Sequence, residues 1–218
     1  MLLLVIDTST PAVSAGLARV DAGGVELLAE KTTVDGRAHG ERLAPAVAEI
    51  IRPFGLAEIA AVVAGLGPGP FTGLRVGLVT AATIAQARGI PTYGVCSLDA
   101  IGRGSRGDVL VASDARRKEI YWARYADGER ASEPAVGRAS DVAAMLAAPP
   151  DAVIGEGARL YQDALGLTAR PPWYPSLRAL AELAADRARN AAPSETLTPL
   201  YLRRPDAVEP AGRKAVLP

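Results

Sequence analysis

Residues 65–77, GLGPGPFTGLRVG, join an apolar run at 61–65 to a stretch with no charge between Arg75 and Arg88. A run closed by glycine, a Gly/Pro turn and a long apolar pattern read as strand, tight loop and helix, the helix spanning Phe71–Arg88. Glycine lets backbone approach a ligand closely and a helix N-terminus attracts anions. The loop therefore first suggests a phosphate cradle. Pro68 and Pro70, however, each delete an N–H that such a cradle would use. No Gly-Lys-Ser/Thr follows, which excludes a Walker A loop, and the spacing is not that of a Rossmann turn. Thr72 is placed to cap the helix. With Gly73, Gly77, Ala81, Ala82 and Ala85 around it, the helix is apolar on every side and is expected to be covered on every side.

Outward from this unit, apolar or β-branched runs bounded by turn residues predict strands at Leu2–Asp7, 14–20, 25–34 and Thr92–Val95. Leu43, Ala46, Val47, Ile50, Ile51 and Phe54 recur at helical spacing with Glu41, Arg42, Glu49 and Arg52 opposite, an amphipathic helix with one core face. After the basic, glycine-rich stretch Gly102-Arg103-Gly104-Ser105-Arg106-Gly107 the order starts again. Strands are expected at Asp108–Asp114, at 119–125 and within 130–138. A helix at 140–147, a strand at 152–155 and helices near 160–165 and at 177–190 follow. The fold class is α/β, with two RNase H-like βββαβα lobes of the actin/Hsp70-like ATPase fold. The expected domains are an N-terminal lobe at 1–104, a C-terminal lobe at 105–204 and a mobile tail at 205–218. Five prolines from Pro193 onward exclude a long terminal helix, and Leu200-Tyr201-Leu202 is apolar enough to dock.

The 218 residues carry 24 Lys+Arg and 24 Asp+Glu, so overall charge points neither to nucleic acid nor to an anionic membrane as the direct partner. A single cysteine, Cys96, excludes an internal disulfide and leaves too few thiolates for a zinc or iron–sulfur centre. The N-terminal apolar run lacks a basic flank and is too short for a signal peptide, and the longest uncharged apolar stretch falls well short of the ~20 residues that cross a bilayer. A cytoplasmic protein is the expectation.

Several groups could carry chemistry. Asp7-Thr8-Ser9-Thr10 ends the first strand, where an Asp and hydroxyls could serve metal and phosphates or simply satisfy the backbone of a β1–β2 hairpin. His39, the sole histidine, has no Ser or Cys nucleophile beside it by spacing, and a cap or interface role fits it better than acid–base catalysis. Cys96 lacks a C-x-x-C partner and reads as a buried structural thiol. Asp114-Ala115-Arg116-Arg117-Lys118-Glu119 places three adjacent cations on a turn, either solvated hairpin charges or a contact for an acidic partner or tRNA; Arg203 and Arg204 read the same way. Ile154-Gly155-Glu156-Gly157-Ala158 mimics a phosphate turn, but Glu156 would repel phosphate.

Ile6-Asp7-Thr8-Ser9, His39-Gly40-Glu41-Arg42-Leu43, GLGPGPFTGLRVG, the run from Asp114 to Ala123 and Pro199-Leu200-Tyr201-Leu202-Arg203 closely resemble the bacterial TsaB (YeaZ) family, in order over nearly the whole chain. The resemblance implies a non-catalytic subunit in the formation of N6-threonylcarbamoyladenosine at position 37 of tRNAs reading ANN codons. It implies as partners a TsaD-type catalytic subunit and a TsaE-type ATPase, with tRNA met indirectly through the complex and a homodimer when the chain is alone. Contact would run through the two helices of the first lobe, with Leu43, Val47, Phe71, Leu74, Leu78, Ala82 and Ala85 as interface residues. Asp7, Thr8 and Ser9 would be a vestigial phosphate turn. No cofactor is expected on the chain alone; ATP and metal would be used by partner subunits. The catalytic relative's metal-binding His-x-x-x-His pair falls on Ser97 and Ile101 here, neither a useful transition-metal ligand. The alternative is a stand-alone enzyme of the same fold. An ATP-dependent phosphotransferase would need Asp7 and Asp114 for Mg²⁺, and a glycoprotease-type peptidase would need a nucleophile–histidine–acid set whose spacing is absent.

Overall fold

The computed structural model describes residues 1–146 and 148–203. The expected tail at 205–218, Arg204 and the last residue of the expected helix at 140–147 lie outside the described residues. The chain begins with β1 (Leu2–Asp7), β2 (Ala12–Asp21) and β3 (Gly24–Val34), continues through α1 (His39–Ile51), β4 (Ile59–Gly65), α2 (Phe71–Arg88) and β5 (Thr92–Val95), and leaves by the short α3 (Ser97–Gly102). These five strands form one sheet in the order β3-β2-β1-β4-β5, with β1–β2 and β2–β3 antiparallel and β1–β4 and β4–β5 parallel.

The second half repeats the plan with β6 (Asp108–Asp114), β7 (Glu119–Ala126), β8 (Glu129–Arg130), β9 (Ala135–Arg138), α4 (Ala139–Met145), β10 (Ala152–Ile154), α5 (Glu156–Leu160), α6 (Gln162–Leu165) and β11 (Ala169–Arg170). Its sheet runs β11-β10-β6-β7-β8, with β9 also on β7. Counting strands within each half gives the same order twice, third-second-first-fourth-fifth, with the third strand of the second half broken in two. These are two RNase H-like lobes of the actin/Hsp70-like fold.

Strand alternation explains the layers. In β1, Leu4 and Ile6 face α1 and α2, where Leu43, Val47, Leu78 and Ala85 meet them, while Leu3 and Val5 face the other way. That second face is covered by α7 (Leu177–Arg189), whose Leu177, Leu180, Ala181 and Ala184 pack on Leu3, Val5 and Val63. The repeat places this helix in the second lobe, but its apolar face docks on the first sheet. In the second sheet, Leu110 and Ala112 face α4–α6 and Val109 and Val111 face α3.

The segment after α7 closes the edge of β5. Thr92 Oγ1 donates to the Glu195 carbonyl at 2.6 Å, Gly94 N–H donates to Glu195 Oε2 at 2.9 Å, and Arg187 holds the same carboxylate at 2.7 Å. An edge strand covered in this way is no longer a template for another chain. Leu200 N–H then donates to the Leu66 carbonyl, and Arg203 bonds Glu119 of β7, so the docking expected around Leu200–Leu202 is present and ties the two lobes together.

Candidate functional site

The carboxyl ends of β1 and β4 meet where open α/β sheets form crevices. Asp7 ends β1 and is buried; its Oδ1 accepts from Ser9 N–H at 2.9 Å and Ser9 Oγ at 2.8 Å, and its Oδ2 accepts from Ser97 Oγ at 2.6 Å. Ser97 Oγ also accepts from Gly67 N–H at 3.1 Å. Burial raises the Asp7 carboxyl above its ordinary range, opposed by the bonds from Ser97 and Ser9 and by the nearby His39. Thr8 Oγ1 donates to the Gly73 carbonyl at 2.7 Å and accepts from Gly77 N–H at 3.1 Å, bridging one turn of α2.

The glycines of 65–77 make this closure feasible. A Cβ on Gly65 would lie 1.8 Å from Asp7 Oδ2, one on Gly69 2.1 Å from the Ser9 carbonyl oxygen, and one on Gly77 2.3 Å from Thr8 Oγ1. The space a phosphate cradle would offer is thus filled by the chain's own β1 turn. Asp7, Thr8 and Ser9, expected as a vestigial phosphate turn, have their oxygens engaged inside the protein. Thr72 does not cap α2: the helix starts after Pro70 with no side-chain cap, and Thr72 lies within its first turn. His39 opens α1 without capping it; its Nε2 bonds the Thr10 carbonyl at 2.9 Å, tying the β1–β2 turn to the helix. Beside it, Arg37, His39, Phe71 and Arg116 line an open cavity of about 220 Å³.

The outer side of α2 corrects the sequence reading most. The helix is not covered all round: Phe71 is 47% and Val79 63% exposed, with Arg75, Ala82 and Thr83 also exposed. Of the expected interface residues, Phe71 and Ala82 face outward. Leu43, Val47, Leu74, Leu78 and Ala85 are buried against the chain's own core and present nothing to a partner. Phe71 packs against Tyr201, whose ring stacks at 5.2 Å, and the Arg75 guanidinium, 3.7 Å from the ring centre; Arg75 Nε donates to Tyr201 Oη at 3.2 Å. The sequence reading missed Arg75 and Val79, and it placed Tyr201 in the docked segment without linking it to this surface.

The second lobe's counterparts are also filled. Asp114 Oδ1 accepts from Arg116 N–H at 2.8 Å and from Tyr161 Oη at 3.0 Å. Arg116, Arg117 and Lys118 all have positive φ, so the basic turn is backbone-strained. Arg203, read alongside that turn, is paired with Glu119. Gly155 and Gly157 sit against the backbone of Ala112 and Ser113, where a Cβ would approach within 2.2 and 2.5 Å, so this phosphate-like turn serves close packing. Glu156 between them is buried with Oε2 unbonded, and burial followed by Asp114 pushes its carboxyl up to about 6. Cys96 is a buried thiol pushed up to about 12 by burial and then by Asp99. Among the described residues no three His, Cys, Asp or Glu side chains gather as a metal site, and no helix is long and apolar enough to cross a membrane.

Fold and crevice together define a two-lobed actin/Hsp70-type protein whose first-lobe phosphate crevice is occupied by its own side chains and whose α2 carries an uncovered aromatic–aliphatic face. Residues 26–172 match the family model for TsaD, tRNA N6-adenosine threonylcarbamoyltransferase. An uncharacterized protein of Mycobacterium bovis is 49% identical over 207 residues, covering 94% of this chain and 93% of its own length. One from Mycobacterium leprae is 48% identical, and there this chain spans only 56% of the relative. The tRNA threonylcarbamoyladenosine biosynthesis protein TsaB of Escherichia coli is 37% identical over 132 residues, 57% of this chain and 55% of that protein. YeaZ from Pseudomonas aeruginosa superposes with a TM-score of 0.74 at 26% identity, over 92% of this chain and all of that one. The chain belongs to the TsaB (YeaZ) family.

Proposed function

We propose that this protein is a non-catalytic subunit of the machinery that forms N6-threonylcarbamoyladenosine at position 37 of tRNAs reading ANN codons. In this reading it docks on a TsaD-type catalytic subunit through the outer face of α2. A TsaE-type ATPase completes the assembly, tRNA is met through the complex, and ATP and metal are handled by the partner subunits. The observation that carries the reading is the uncovered stripe of Phe71, Arg75 and Val79, with Phe71 packed against Tyr201 and Arg75. A preorganised aromatic beside exposed aliphatics and an arginine is the composition of interface centres, and ordering it beforehand lowers the entropy lost on docking. The engaged state of Asp7, Thr8 and Ser9 supports a supporting role over phosphotransfer on this lobe.

The test is co-purification of the chain with the TsaD-type protein of the same organism, wild type against Val79→Glu. Loss of the complex with the subunit still folded is expected, together with loss of threonylcarbamoyl transfer in a reconstituted reaction. Unchanged co-purification would overturn the α2 docking face. Loss of self-association only would assign the face to a homodimer. Calorimetry with ATP and Mg²⁺ tests the enzyme alternative: turnover by the chain alone would overturn the non-catalytic reading.

A further inference from the structure

The glycine-rich linker between α3 and β6 plays no part in the α2 face or the Asp7 crevice. It turns at Gly104 and Gly107, both at positive φ, and in doing so faces the end of β11. Between them lies a cavity of about 240 Å³. The buried Ile101, Val109 and Ile154 lie beneath it, and its accessible apolar side is the exposed Pro171 and Pro172; its polar lining is Arg103, Arg106, Arg170 and Ser105. Arg103 shares its charge with Glu129 at 2.7 Å, whereas Arg106 and Arg170 form no ion pair among the described residues. In a chain with zero net formal charge, this is a local excess of cation over one concave surface.

Ser105 supplies a second, independent sign. Ser105 lines the cavity, and its Oγ is buried with no hydrogen-bond partner among the described residues. A buried hydroxyl without a partner carries a free-energy penalty, and native structures satisfy such groups from protein, water or ligand. Guanidinium forks match phosphate oxygens bidentately, and a hydroxyl donor adds a third bond of the same kind. The exposed Pro171 and Pro172 have no use for inorganic phosphate alone but suit a flat ring, and the volume exceeds what a phosphate fills.

We infer that the cavity between the 102–107 linker and Pro171–Pro172 is a nucleotide site: a phosphate on Arg106, Arg170 and Ser105 Oγ, and the base against the two prolines. The same chemistry is offered by a free mononucleotide and by a nucleotide within an RNA strand. The inference is independent of the docking face on α2.

The experiment is calorimetric titration of the full chain with AMP, adenosine, inorganic phosphate and a short single-stranded RNA. AMP should bind at least about tenfold more tightly than adenosine or inorganic phosphate, since each lacks one half of the recognition. The double variant Arg106→Gln/Arg170→Gln alters two exposed side chains, so its melting temperature should hold while AMP affinity falls by about tenfold or more. Ser105→Ala should weaken AMP by about three- to tenfold yet leave the melting temperature equal or higher, because it removes an unbonded hydroxyl. If the RNA loses affinity in the same double variant, the strand is the source; if only AMP does, the ligand is a free nucleotide. No AMP binding at millimolar concentration, equal binding of inorganic phosphate, or AMP affinity unchanged in the double variant would each overturn the site.

Discussion

Ser97 Oγ donates a 2.6 Å hydrogen bond to Asp7 Oδ2 across ninety residues of sequence, while accepting from the backbone of Gly67. One hydroxyl thus links the ends of β1 and β4 to the start of α3, at the point where sheets of this kind open a ligand crevice. The carboxylate is buried, and three donors, Ser9 N–H, Ser9 Oγ and Ser97 Oγ, hold it there. A group so enclosed is a structural node.

Ser97→Ala removes the only donor to Asp7 Oδ2 among the described residues and the acceptor for Gly67 N–H, leaving two buried polar groups short of a partner. The expected loss is about 2–3 kcal/mol, read from the urea midpoint at constant slope. Because the Ser97 bond holds the Asp7 carboxyl down, its loss raises that carboxyl further. A raised acid contributes less stability as pH rises, so the deficit should widen as pH climbs through the range where the wild-type Asp7 carboxyl ionises, above the ordinary carboxylate range. A deficit that shrinks as pH rises would show that Ser97 does not hold the Asp7 carboxyl down.

Gly77→Ala exchanges the poorest common helix former for the best and would gain about 1 kcal/mol on an open helix. Here the added methyl meets Thr8 Oγ1 at 2.3 Å, and Thr8 is fixed by its bonds to Gly73 and Gly77. Overpacking wins, with an expected net loss of about 2 kcal/mol or more. Thr8→Ala in the same chain removes the obstruction and should recover part of that loss, a coupling of about 1 kcal/mol in a double-mutant cycle. Gly40→Ala on α1, where nothing lies within 4 Å, should by contrast be neutral or stabilising.

Val79 and Ala85 lie six positions apart on α2 but on opposite sides of the surface. Val79→Glu places a charge in water and should change stability by no more than about 0.5 kcal/mol. Ala85, 3% exposed among Leu43, Val47 and Ile50, has no room for a carboxylate; Ala85→Glu should cost about 3 kcal/mol or more and appear as loss of folded protein. Paired melting curves check both. Equal destabilisation by the two substitutions would contradict the exposed face.

The contrast between those two residues marks where sequence is and is not legible. The bounds of β1, β6 and α2 follow from sharp local signals: Asp at strand ends, prolines before the helix and Gly89 in the left-handed conformation after it. Which side of α2 is buried does not follow, because a helix without a polar stripe has no periodicity to orient it. The elements α5, α6, β8, β9 and β11 span only two to five residues, too few for any period to register. A helix at 177–190 is legible in the sequence, yet nothing local says which sheet it covers. At the site, Asp7 and the glycines stood out singly, but their closure by Ser97 and Thr8 depends on contacts 65 to 90 residues apart.

Glu156 gives the last prediction. Its carboxyl, 7% exposed with Oε2 unbonded, stands at about 6 against an ordinary 4.5, raised first by burial and then by Asp114, with Arg159 and Arg116 opposing. The folded protein therefore keeps this proton to higher pH than the unfolded chain does. Below about pH 4.5 both states are protonated and the group carries no penalty; between about 4.5 and 6 stability falls as pH rises, and above 6 the penalty levels at about 2 kcal/mol. Glu156→Gln keeps the shape and cannot ionise. Its midpoint in urea should coincide with wild type near pH 4 and exceed it by about 2 kcal/mol at pH 8, with half the difference appearing near pH 5–6. A variant whose advantage is the same at both would show that the Glu156 carboxyl titrates in its ordinary range.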